Sequence, residues 1–186
     1  AADWILENGS QTNKWFVGTP GAHNGTKGLF VSNDNGTSNS YSNSSTSHVY
    51  AYAVFNFSEV GEYMISYDWK NQGESNSYDW LRVFMAPASQ DFVAGSAQPL
   101  GTSTYSACTT AVAPGWFELT GRTTSPYTLA QSSTWQNVGT TFTITNPGTY
   151  KLVFMWSNDG SAGDNPPASV DNISISLNTC PAPVDL

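Results

Sequence analysis

Apolar and polar residues alternate one for one along most of this 186-residue chain, a period of two that suits strands and leaves almost no room for helices. "HVYAYAVFNF" (48–57) sets Val49, Ala51, Ala53, Phe55 and Phe57 on one face and Tyr50, Tyr52 and Val54 on the other. "YMISYDW" (63–69) lines up Tyr63, Ile65, Tyr67 and Trp69, and "YDWLRVFMAP" (78–87) sets Leu81, Val83 and Met85 against Trp80, Arg82 and Phe84. "TTFTITNPGTYKLVFMW" (140–156) reads as two strands joined at Asn146-Pro147-Gly148. "VDNISISL" closes the pattern, and "NKWFVG" and "GLFVSND" are short strands near the start. Segment 88–139 is an excursion with one or two short strands, and 33–47 is a long polar loop. Eight or more strands, several apolar on both faces, predict an all-β, two-sheet antiparallel β-sandwich of the jelly-roll type.

Composition narrows the function classes. Charged residues are only 11% while aromatics reach 13%, with Ser, Thr, Asn and Gly filling the polar positions. That mixture fits an extracellular domain and excludes a disordered chain. The net charge of −8 leaves no basic patch for nucleic acid or for an anionic membrane surface. An acidic surface of this kind serves solubility or Ca²⁺. Cys108 and Cys180 lack zinc spacing. They are expected either to form an intradomain disulfide or to stay apart, Cys180 being in a terminal segment. Residues 1–178 are expected to form one domain and 179–186 a linker into a following module.

The order "NKWFVG…GLFVSNDNG…VYAYAVFNF…GEYMISYDWKNQGES…YDWLRVFMAP…GTYKLVFMWSNDG…PPASVDNISI" resembles the MAM-like jelly-roll modules of Bacteroidetes surface proteins. The cleaved-adhesin modules of gingipain-type haemagglutinins and the related "choice-of-anchor" modules are the nearest in kind. The likeness runs over about residues 4–178, with "VDNISI" after a Pro-containing loop its strongest piece. The tail "NTCPAPVDL" resembles a junction into a fibronectin type III module. The resemblance implies secretion or surface display, adhesion or recognition, and often structural Ca²⁺. It also implies a strand upstream of the first Trp, whose acidic residue helps bind the metal; here Trp4 stands almost at the start.

The candidate site residues follow. Counting back by two from Ile173, Ile175 and Leu177 places Asp171 in phase with the core, where an idle charge is too costly. Asp171 is either a Ca²⁺ ligand, with Asn33 and Asp34 of "SNDNG" and Glu7 and Asn8 from the edge, or a clasp for backbone amides. The missing upstream strand favours the clasp. Asp79 repeats the puzzle ahead of Leu81, Val83 and Met85, near Asp68 and Glu74. Two such carboxylates could hydrolyse a glycoside, but no glycosidase motif surrounds them. A network with Lys70 or Arg82, or a metal ligand, is the favoured role. Among the aromatics Tyr50, Tyr52, Trp69, Trp80, Trp135 and Trp156, Trp80 with Tyr50 or Tyr52 could stack on a sugar. Trp156, Asn158 and Asp159 stand together at a strand end as a second ligand-binding group, although the phase of Trp156 favours core.

No G-x-S-x-G or reactive-Cys context is present. The expectation is therefore a non-enzymatic, secreted or surface-exposed, monomeric recognition module. It would use loops 19–27, 33–47, 71–78 and 157–168 toward a glycan or protein, without nucleic acid or membrane insertion. A carbohydrate-binding module appended to a hydrolase or protease is the alternative.

Overall fold

The computed structural model describes residues 3–74, 78–96 and 112–178; Cys108, Cys180 and the 179–186 linker lie outside them. Ten strands run in the order β1 (Ile5–Glu7), β2 (Lys14–Gly18), β3 (Gly28–Ser32), β4 (Ser47–Phe57), β5 (Gly61–Asn71), β6 (Trp80–Pro87), β7 (Phe117–Glu118), β8 (Ser132–Ile144), β9 (Gly148–Asn158) and β10 (Ser169–Leu177). They form two five-stranded sheets, β1-β4-β9-β6-β7 and β2-β3-β10-β5-β8, with every pairing antiparallel. The chain is a jelly-roll β-sandwich.

The alternation sets the core. Val49, Ala51 and Phe57 of β4, Leu81, Val83 and Met85 of β6 and Leu152, Phe154 and Trp156 of β9 meet Tyr63, Ile65, Tyr67 and Trp69 of β5 across the sandwich. Each fully buried large side chain is worth about 1.5–3 kcal/mol of apolar burial. Trp15 of β2 donates its indole N–H to Val49 O at 3.2 Å and so ties the two sheets together. The Asn146-Pro147-Gly148 turn joins β8 to β9 as expected. The long strand β8 is a departure, because half of it lies in the segment read as excursion. It is an edge strand of Ser, Thr, Gln and Asn, mostly solvated, with little apolar alternation to announce it.

The outer face of the first sheet carries a second apolar cluster. Tyr50, Trp80, Phe84, Val153 and Met155 are buried there with Phe92, and Trp116 packs against them. The excursion after β6 folds back over this face. Arg82, in line with Trp80 and Phe84, is fully buried and pairs with Glu118 at 2.6 Å.

The connections divide between the two ends of the sandwich. Residues 8–13, 33–46, 72–79 and 159–168 join strands at one end, and 19–27, 58–60 and 145–147 at the other. The loops expected to form a single binding edge are thus separated: 19–27 faces away from the other three. Among the described residues no helix is long and apolar enough to cross a membrane.

Candidate functional site

Three carboxylates meet at the first of these ends. One oxygen from each of Glu74, Asp79 and Asp159 lies within 4.8 Å of the others, and this is the metal-competent group of acidic, His or Cys side chains found among the described residues. Asp79 stands one residue before β6, in phase with Leu81 and the inner face, and is fully buried. Asn71 at the end of β5 donates its amide N–H to Asp79 O at 3.2 Å and so fixes the turn. Glu74 is placed by a short bridge in which Gly73 and Asp164 exchange backbone hydrogen bonds of 3.1 and 2.9 Å. Asp159 follows β9 directly; its carbonyl accepts from Thr46 Oγ1 at 2.8 Å.

The carboxylate oxygens differ in supply. The Tyr41 hydroxyl donates to Asp79 Oδ2 in a short hydrogen bond, and the Asp159 amide donates to Asp79 Oδ1 at 3.3 Å. Ser161 N–H donates to Asp159 Oδ1 at 2.8 Å. Glu74 Oε2 is shielded from solvent and has no hydrogen-bond partner. The ion pairs among the described residues are His23–Asp68, Arg82–Glu118 and Lys151–Asp91, and none reaches this group. Three acids thus share a confined space without a countercharge. Burial pushes Asp79 up to about 6, against the lowering effect of Tyr41 and the Asp159 amide, and the charges of Asp159 and Glu74 add to the rise. Glu74 is raised by burial and by the charge of Asp159. Burial also raises the Tyr41 hydroxyl, which keeps it a donor.

The space around Asp79 is closed by backbone. Gly163 has φ +91, and a Cβ there would lie 2.1 Å from Tyr41 OH and 2.2 Å from Asp79 Oδ2. Tyr41 is held by its own amide, which donates to Asn165 Oδ1 at 3.0 Å, and its ring packs edge-on to Trp156 at 5.1 Å.

The set Asp171, Asp34, Asn33 and Glu7 does not converge. Asp171 Oδ2 accepts from the amides of His23 and Asn24 at 2.7 and 2.9 Å, and Oδ1 from the Asn172 amide at 2.7 Å. It is a clasp. Its supposed core phase is an artefact of a bulge: the register slips between Asp171 and Ser174, and Asn172 takes φ 53. Asp171 sits opposite Asp68 on the outer face, while Ile173 is turned inward. Asp34 organises its own turn, accepting from Ser32 Oγ at 2.5 Å, Ser38 Oγ at 2.6 Å and the Thr37 and Ser38 amides at 3.0 Å. The Ser32 and Ser38 hydrogen bonds hold it down to about 2. Asn33 bonds back to Ser40, and Glu7 pairs with Tyr50 in the β1–β4 ladder.

The aromatic platform is also corrected. Trp80 and Tyr50 do face outward from their sheet, as their phase implied, but the folded-back excursion buries them. Tyr52 is half-buried beside Phe92 with the Lys151 ammonium 5.0 Å from its ring. Trp69 and Trp156 are core. Trp135 is half-buried, with His23 stacked on it at 4.7 Å and Lys70 at 5.0 Å. Asn158 is a buried pin: its amide donates to Ser45 O at 2.8 Å and accepts from Asn13 at 3.1 Å. Of the second proposed group, only Asp159 reaches the site.

Neither a known family model nor a curated protein matches the chain. Solved structures do. A bacteriophage CBA120 tailspike protein 4 enzymatically active domain aligns at TM-score 0.51 and 11% identity, over 94% of this chain and 19% of that one. A TmCBM61 structure in complex with β-1,4-galactotriose aligns at 0.47 and 9%, over 94% and 88%. The K1 cleaved adhesin domain of Lys-gingipain from Porphyromonas gingivalis W83 aligns at 0.45 and 11%, over 95% and 91%. At these identities the likeness is one of fold.

Proposed function

We propose that the chain is a non-enzymatic recognition module of a secreted or surface-displayed protein, and that a divalent cation, Ca²⁺, locks its loop-bearing end. The observation that carries this is the Glu74–Asp79–Asp159 group, short of countercharge and with an orphaned buried oxygen on Glu74. An all-oxygen, carboxylate-rich donor set suits a hard cation, and Ca²⁺ tolerates the irregular geometry of loops. The ion would neutralise three acids and cross-link the segments after β5 and β9. Those segments, with loop 33–46 held by Tyr41, form the surface offered to a partner, a glycan or a protein. Loops on a stiff sandwich are the usual place for such contacts.

The carbohydrate reading, as a platform of Trp80 with Tyr50 or Tyr52, loses support because two of those rings are buried. The Asp79–Tyr41 pair is closed by Gly163, which supports binding over hydrolysis.

Thermal unfolding in Ca²⁺ and in EDTA tests the proposal. A bound ion must raise the melting temperature by linkage, by about 2.7 kcal/mol of stability at a hundredfold excess over Kd. Equal melting in both buffers sinks it. A glycan array in Ca²⁺ then separates sugar from protein partners.

A further inference from the structure

At the end away from the carboxylates the sandwich is incomplete along one strand. β10 pairs with β3 only through Ser169 and Val170, because β3 begins at Gly28. From Asp171 to Leu177 β10 keeps β5 on one side and has no strand on the other among the described residues. A strand's backbone groups point alternately to both sides, so half of those in this stretch lack a ladder partner. The inward side chains show the same gap. Ile173, Ile175 and Leu177 are only half-buried, whereas Ile65 and Tyr67 on neighbouring β5 are fully buried.

The gap is continuous with a cavity of about 420 Å³ between the sheets. Trp4, Val17, Leu29, Phe55 and Ile173 line it, with Lys27 among them. Lys27 is exposed and forms no ion pair among the described residues. The carboxylate of Asp171 beside it is already taken by three amides. The cavity therefore offers apolar walls, one uncommitted positive charge and a strand edge in line with β3.

We propose that this edge takes an extended segment of another polypeptide as an added strand, running antiparallel to β10. Alternate apolar side chains of the segment enter the cavity, and a carboxylate at its C-terminal end meets Lys27. Only a polypeptide backbone matches the spacing of the unpaired groups, and the walls ask for apolar side chains every second residue. A sugar would leave Trp4, Phe55 and Ile173 against hydroxyls, and a small apolar molecule would leave the strand edge unpaired.

The probe is the blocked hexapeptide Val-Thr-Val-Thr-Val-Glu, measured by calorimetry. Its version N-methylated at alternate residues keeps the side chains and loses strand pairing. Saturable binding, weakened roughly tenfold or more by methylation, is expected. Lys27→Glu, an exposed change that leaves the fold intact, should reverse the preference between this peptide and one ending in Lys. Ile175→Lys should abolish binding, with its melting curve showing that the sandwich still forms. Absence of saturable binding, or equal binding of the methylated peptide, overturns the proposal. So does self-association through this edge in sedimentation without peptide, which would make a second copy the occupant.

Discussion

Asp79 and Asp171 look alike in sequence, each leading a row of alternating core residues by two, yet the fold treats them oppositely. Asp171 is carried to the outer face by a bulge and receives three backbone amides. Asp79 has no bulge, remains inside, and shares its space with two more acids. The difference lies in the partner loop. The 19–27 loop brings amides to Asp171, while the segments around Asp79 bring one hydroxyl, one amide and further carboxylates. A saturated carboxylate holds structure together; an undersupplied one invites a cation.

The sharpest way to break the Asp79 side is Gly163→Ala. The new methyl group would sit on Tyr41 OH and Asp79 Oδ2 at a left-handed φ. Backbone strain and collision together should cost about 3 kcal/mol or more and abolish any Ca²⁺-dependent rise in melting temperature. Denaturant melts with and without Ca²⁺ check both parts. A Gly163→Ala protein that melts like the parent would mean the closure around Asp79 is looser than described.

The next effect is in pH. The folded carboxyl of Asp79 sits at about 6, above its unfolded value near 4, so the folded state holds this proton more tightly. Stability in EDTA should therefore fall as pH rises from about 4 through 6, by on the order of 2–3 kcal/mol from this group. Asp79→Asn should flatten that window and remove the response to Ca²⁺. Asp171→Asn should leave both in place. If the two variants behave alike in a pH series of melts, the contrast between the carboxylates fails.

Asp171→Asn has its own, smaller signature. The amide can accept from two N–H groups but turns its NH₂ toward the third, and the charge is gone. A loss of about 2 kcal/mol is expected, independent of Ca²⁺. Hydrogen exchange should quicken at His23, Asn24 and Asn172.

What could be read in advance follows the same line. The strands with strict alternation, 48–57, 63–69, 80–87 and 148–156, were legible because a half-buried face imposes a period of two. β8 was not, since an exposed edge strand asks only for solubility. The bulge at Asn172 erased the phase of Asp171, and no single-residue signal reports such a slip except that Asn tolerates positive φ. Trp80 was placed on the correct face, but its burial depends on the excursion after β6, which carries no periodicity. Glu74 and Asp79 were visible as neighbours in one turn. Asp159 is 80 residues further on, and only the antiparallel pairing of β6 with β9 brings it to them.

The smallest change tests the supply of donors directly. Tyr41→Phe deletes the hydroxyl that serves Asp79 and leaves the ring against Trp156. Without metal, one buried hydrogen bond to a carboxyl is lost, about 1–2 kcal/mol. With that lowering influence removed, Asp79 should titrate still higher than in the parent, readable by NMR of its carboxyl carbon. Ca²⁺ relieves part of this loss, because an ion takes over the freed oxygen. The variant should thus gain more from Ca²⁺ than the parent does, the opposite of Asp79→Asn, so the two substitutions separate a carboxylate that lacks donors from one that merely packs.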